Sequence, residues 1–211
     1  MGWITLRKKW MIGSWQVLRP VTNLASINRN QGRNEKYVLL VEASLARALT
    51  PDSSRPKSTV DVPMQTHDYS MVPPHFYREL TRTSEGCSLL KASGHFEDFV
   101  STIQAFWSED EDSEIMLKVK GCLWAIGNIG SMELGAPFID DSDVVSWIVK
   151  ITERSEVMTM RGTAFFVLGL ISRSLHGMEI LTQYRWDVAT NPMGESLGFC
   201  LPPSFEMLFE V

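Results

Sequence analysis

The stretch KGCLWAIGNIGSMELGAPFI, Lys120 to Ile139, decides the fold, because it sets four glycines inside an apolar run. Glycine costs about 1 kcal/mol in a helix interior relative to alanine, and it is also the residue that lets a backbone close on a phosphate. Two ligand motifs match it in part, and both fail. Gly130 to Gly135 (GSMELG) fits the start of a phosphate-binding loop, but Ala136-Pro137 stands where Lys and Ser or Thr would grip phosphates and magnesium. Gly127-Asn128-Ile129-Gly130 spells the GxxG of an RNA-clamping loop, without basic residues and inside an apolar helical pattern. A packed helix remains. Leu117, Val119, Leu123, Trp124, Ile126 and Ile129 make the segment from about Glu114 to Gly130 apolar on nearly every side, so it has to lie between neighbours.

Working outward, the pattern recurs. Setting Lys120-Gly121 over Arg161-Gly162 pairs Trp124 with Phe165, Ile126 with Val167, Ile129 with Leu170, Ser131 with Ser172 and Leu134 with Leu175. The offset falls in the window of about 40 to 47 residues used by armadillo and HEAT repeats. Gly86, Gly135 and Gly177 are each followed by an apolar pair. One unit reads as the long helix, a short helix or turn over Met132 to Ile139, and a third helix capped by Ser142 that carries Val144, Val145, Trp147, Ile148 and Ile151. The recurring glycines, Gly121 as Gly162 and Gly135 as Gly177, are expected at close helix approaches or turns, with Gly130 ending the long helix and Gly127 admitting a neighbouring aromatic. The expected fold is all-α, a fragment of an armadillo/HEAT-like helical-repeat array, or α-solenoid, whose units cover one another's cores.

Three segments follow along the chain: an N-terminal helical segment over 1–49, a flexible linker over 50–72, and helical repeats over 73–211. In the first, Tyr37, Val38, Val41, Leu45, Ala48 and Leu49 share one side of a helix over Glu35 to Leu49, with Asn34 available as cap and Pro51 beyond its end. TLRKKWMIGSWQVLRP reads as an earlier helix ended by Pro20, whose Trp10 and Trp15 need a cover. The linker is rich in Ser, Pro, Thr and Asp, with no apolar period.

Composition narrows the function. At 211 residues and 44% hydrophobic the chain can build a real core, and its net charge of −5 offers no broad attraction for nucleic acid or anionic lipid. Cys87, Cys122 and Cys200 are far apart and read as buried thiols of a reducing compartment. No metal-ligand spacing is present, and the acidic run SEDEDSE, Ser108 to Glu114, lacks the glycine of a calcium loop and suits a helix N-terminus instead. Thr163 to Ile171 (TAFFVLGLI) is half of a bilayer span and bounded by Arg161 and Arg173, so it is a core helix. MGWITL has the Gly2 of a myristoylation signal but Leu6 where Ser or Thr belongs, and no targeting element is read. No nucleophile elbow, HExxH or positioned base for His67, His75, His95 or His176 is found, so no catalytic, cofactor or metal residue is assigned. One candidate site remains, a basic ridge of Lys118, Lys120 and Arg161 that would grip an acidic partner, since Lys120 and Arg161 are equivalent in adjacent repeats.

Three blocks then carry a family resemblance: VPPHFYRELTRTSEGCSLL (Val72 to Leu90), LKVKGCLWAIGNIGSMELGAPFI (Leu117 to Ile139) and RGTAFFVLGLISRSLHGMEIL (Arg161 to Leu181), followed by YRWD (Tyr184 to Asp187). Together they closely resemble the C-terminal conserved part of the Rictor family in its fungal form, over about Val72 to Phe205. Rictor is the rapamycin-insensitive companion subunit of the second target-of-rapamycin (TOR) kinase complex. The resemblance implies a noncatalytic helical scaffold without cofactors, partnered by TOR kinase and the other subunits of TOR complex 2. It further implies a cytoplasmic location with recruitment to the plasma membrane through the complex, and neither nucleic-acid binding nor membrane insertion. Rictor proteins are far larger, so the 211 residues resemble only a C-terminal portion, without the long N-terminal helical array, and Trp3, Trp10 and Trp15 fit an array whose first repeat has lost its neighbour. The alternative is a free-standing adaptor that uses the basic ridge on an unrelated acidic protein.

Overall fold

The computed structural model describes residues 34–49, 74–204 and 206. The expected helix ending at Pro20 and the linker over 50–72 lie outside the described residues. Among the described residues the order is α1 (Asn34–Leu49), α2 (Phe76–Leu80), α3 (Ser84–Ser93), α4 (His95–Phe106), α5 (Ser113–Gly130), α6 (Ala136–Asp140), α7 (Val144–Arg154), α8 (Met158–Ile171), α9 (Leu175–Gln183), β1 (Asp187–Thr190) and β2 (Ser196–Leu201).

The protein is built around α5. Every residue from Val119 to Gly130 is buried, as the all-round apolar pattern requires. The acidic run sets its start: the Asp112 carboxylate accepts from the backbone N–H groups of Glu114 at 2.8 Å and Ile115 at 3.1 Å, two of the donors a helix N-terminus leaves unpaired. Helices α1, α4 and α8 pack on α5. Contacts with α8 advance together along both helices, Trp124 on Phe166, then Gly127 against Val167 and Leu170, then Gly130 against Ile171, so the two run side by side in the same direction.

Both helices end alike. Ser131 and Ser172 are the C-cap residues, and each hydroxyl donates to the carbonyl three residues back, Asn128 and Gly169, at 2.8 Å. The corner that follows is tight. A Cβ on Gly135 would lie 2.1 Å from the Ile129 oxygen, one on Gly177 2.0 Å from the Ile171 oxygen, and one on Gly86, after α2, 1.8 Å from the Leu80 oxygen. Thr83 and Ser174 complete two of these corners by accepting from the N–H of Gly86 and Gly177.

Five local expectations change. Gly162 does not share the close approach of Gly121: a Cβ there meets nothing within 4 Å, whereas at Gly121 it would touch Asn34. Gly127 admits the aliphatic Val167 and Leu170 rather than an aromatic ring. Ser142 turns back to the Ile139 carbonyl, and Asp143 is the N-cap of α7, without a side-chain bond. Asn34 is the first residue of α1 rather than its cap, and Leu45, expected on the buried side of α1, is exposed.

The helical repeats expected over 73–211 give way to a hairpin after α9 among the described residues. Tyr184 caps α9, the N–H of Trp186 donates to the Leu181 carbonyl, and that of Arg185 to Thr182, so the helix closes with Arg185 left-handed at φ 63. An antiparallel hairpin follows, Asp187 opposite Leu201 and Val188 opposite Cys200, turned by Asn191 and a left-handed Gly194. It lies on α8 where Gly169 meets the Gly198 carbonyl.

Candidate interaction surface

The three cations of the expected ridge do not form one. Lys120 is 9% exposed, and its ammonium is 2.7 Å from the Glu42 carboxylate of α1. Arg161 is 4% exposed and turns toward α7, where its guanidinium donates to the carbonyls of Thr152 at 3.2 Å and Glu153 at 3.1 Å. Those carbonyls belong to the last turn of α7, which lacks helical partners and attracts positive charge. Lys118 alone is exposed, beside Glu35 and Asp98 in a polar recess of about 370 Å³ between α1, α4 and α5. The physical reason is that these helices are enclosed: equivalent positions of two packed helices share an inward direction as readily as an outward one.

The histidines and thiols are placed for structure. His75 is buried, accepts from the Tyr77 N–H at 3.3 Å and is held neutral by burial, its pKa pushed down to about 3. The Tyr77 hydroxyl is 2.9 Å from Nδ1 of buried His95, whose pKa burial also lowers. His176 lies 3.1 Å from Asp140; His67 is outside the described residues. Burial raises the Cys122 and Cys200 thiols to about 12, so neither is a thiolate. Among the described residues no group of three or more His, Cys, Asp or Glu could hold a metal ion, and no helix is long and apolar enough to cross a membrane.

What the described surface offers is apolar relief. A groove of about 480 Å³ runs between α3, α4 and α6, with Phe96 and Phe138, ring centroids 5.4 Å apart, as its floor together with Val100 and Pro137. Cys87, Lys91, Glu97 and Asp141 stand around it. Leu197, Phe199 and Leu201 are exposed at alternate positions of β2, on the face opposite buried Cys200, and Phe166 of α8 is half exposed against Trp124. Leu39, Leu40 and Leu45 of α1 are likewise open. None of these features was found from the sequence. The signal for the hairpin was there, in the Asn-Pro-x-Gly turn at Asn191 to Gly194 between two short β-prone runs.

A family model described as "Rapamycin-insensitive companion of mTOR, domain 5" matches residues 117–187, from inside α5 to the start of β1. The chain is 39% identical over 170 residues to a protein of Schizosaccharomyces pombe named target of rapamycin complex 2 subunit ste20, covering 81% of this chain and 13% of that one. It is 33% identical over 175 residues to target of rapamycin complex 2 subunit TSC11 of Saccharomyces cerevisiae, covering 81% and 12%. Against the rapamycin-insensitive companion of mTOR of Homo sapiens it is 33% identical over 162 residues, 73% of this chain and 9% of that one. The chain thus spans about an eighth of the length of the fungal relatives it matches.

Proposed function

This chain belongs to the Rictor family, and from that premise we propose that it works as a noncatalytic scaffolding part of TOR complex 2. The observation that carries the reading is its similarity, over 170 residues, to a protein named as a subunit of that complex. The described side chains agree with it: the histidines are buried neutral or paired on the surface, two thiols are held protonated, and apolar groups are left open on α1, α8 and β2. Exposed apolar patches of this kind are what protein association uses.

In this reading α5–α6 and α8–α9 are two stacked copies of one helical unit, supported by their common direction, their matched Ser caps and their matched Gly corners. The hairpin covers one side of the second copy. The partners are TOR kinase and the other subunits, the setting is the cytoplasm, and approach to the plasma membrane comes through the complex. Affinity purification of the full, tagged chain should recover TOR kinase or its companion subunits. Recovery of none of them, with circular dichroism reporting a folded helical chain, would refute the proposal.

A further inference from the structure

We propose that the groove between α3, α4 and α6 seats a large apolar side chain from a basic segment of another subunit of the complex. This rests on the reading of the chain as a TOR complex 2 subunit and adds to it the chemistry of one contact. The groove has a floor of Phe96, Val100 and Phe138, and its charged residues all stand exposed at the edge. An apolar centre with a polar rim is the pattern of a site for an anchoring side chain. Its volume of about 480 Å³ suits a short segment, not a folded partner, whose interface needs about 800 Å² from each side.

The sign of the partner follows from where charge has been used. The Lys150 ammonium lies 3.8 Å over Trp107 and 4.6 Å from the Trp147 ring, facing rings rather than a carboxylate. At the groove, Glu97 and Asp141 are exposed and neither has a cation partner among the described residues. Lys91 is the one cation of the lining, against the two carboxylates. A segment with Lys or Arg flanking a Trp, Phe or Leu satisfies both floor and rim; an acidic segment would meet Glu97 and Asp141 with like charge.

The test titrates the full chain into a fluorescein-labelled peptide, Lys-Lys-Leu-Trp-Leu-Lys-Lys, followed by anisotropy. Two companion peptides replace every Lys by Glu, or Trp and both Leu by Ala. We expect binding of the first peptide only, and a loss of about tenfold or more when Glu97→Lys and Asp141→Lys are combined. The control pair Asp110→Lys and Glu111→Lys, in the acidic loop before α5, should leave binding unchanged. All four positions are exposed, so folding is retained. Equal binding to the double variant, binding of the all-Ala-core peptide, or a loss confined to the control pair would overturn the groove. Failure of the basic peptide while the tagged chain still recovers TOR complex 2 subunits would remove this contact and leave the subunit reading standing.

Discussion

Replacing Gly135 by alanine tests the corner on which the helical stack turns. The added methyl would sit 2.1 Å from the Ile129 oxygen, and that carbonyl is held in place by the Met132 N–H at 3.2 Å. Relief requires a shift of about 1.4 Å, since non-bonded carbon contacts settle near 3.5 Å. The turn cannot give this cheaply: Gly135 and Ala136 both donate to the Met132 carbonyl at 2.9 Å, and Phe138 donates back to Gly135. The backbone of Gly135, φ −90 and ψ −22, is open to any residue, so the effect would be contact alone and not conformational freedom. Overpacking of this kind costs about 1–3 kcal/mol, occasionally more, and a fixed backbone oxygen puts Gly135→Ala at about 3 kcal/mol. Gly162→Ala is the internal comparison. It lies within α8 with nothing within 4 Å of the new methyl, so helix propensity should make it neutral to stabilising by about 0.5–1 kcal/mol. Equilibrium urea unfolding followed by circular dichroism reads both. A Gly135→Ala midpoint at or above that of the parent chain, or equal shifts for the two variants, would refute the assignment of these glycines to opposite roles.

Arg161→Ala should destabilise the chain by about 2–3 kcal/mol in the same unfolding assay, because it strips the carbonyls of Thr152 and Glu153 of a charged donor. It should not act as the loss of a surface contact, so complex recovery per folded molecule is expected to hold. His75 gives a pH dependence: its folded pKa of about 3 lies below the ordinary 6.5, so the unfolded chain takes the proton first and stability falls as pH drops below 6.5. The loss from this group is about 2 kcal/mol between pH 6.5 and 4.5, measurable as a urea midpoint, and His75→Asn, which keeps an acceptor for the Tyr77 N–H, should flatten the slope. Arg185→Gly should raise thermal stability slightly, by about 0.5 kcal/mol, since a left-handed residue at a helix end favours glycine; a fall in Tm would count against it.

The helices were legible where one physical demand dominated. Asp112 and Gly130 bound α5 within a residue of the expected ends, because an acidic N-terminus and an all-round apolar helix leave little choice. The spacing that pairs Ser131 with Ser172 also located two hydroxyls making the same capping bond. Where two residues compete for one role the sequence is ambiguous: Ser142 and Asp143 both suit the start of α7, and the choice depends on whether the Ile139 carbonyl needs a donor. The hairpin was hidden by its neighbourhood. Gly169 and Gly198 look like defects in their own segments, and only their mutual approach explains both.

The basic ridge failed for a reason that reaches beyond three residues. Repeat equivalence fixes the direction in which a side chain leaves its helix, but not what stands in that direction. Lys120 points into α1 and finds Glu42; Arg161 points to the end of α7 and finds carbonyls. Both cations are therefore spent on joining helices, as Lys150 is on Trp107 and Trp147. The chain as a whole carries 25 acidic against 20 basic residues, and a pair such as Lys120 and Glu42 removes one of each sign, so the acidic excess persists. For this chain, that excess is carboxylate, and around Phe96 and Phe138 it borders an apolar floor. The electrostatic reading consequently changes between sequence and structure: Lys120 and Arg161, counted as an outward grip on an acidic protein, become inward fasteners, Lys118 alone stays exposed, and the proposed groove contact calls for a basic segment instead.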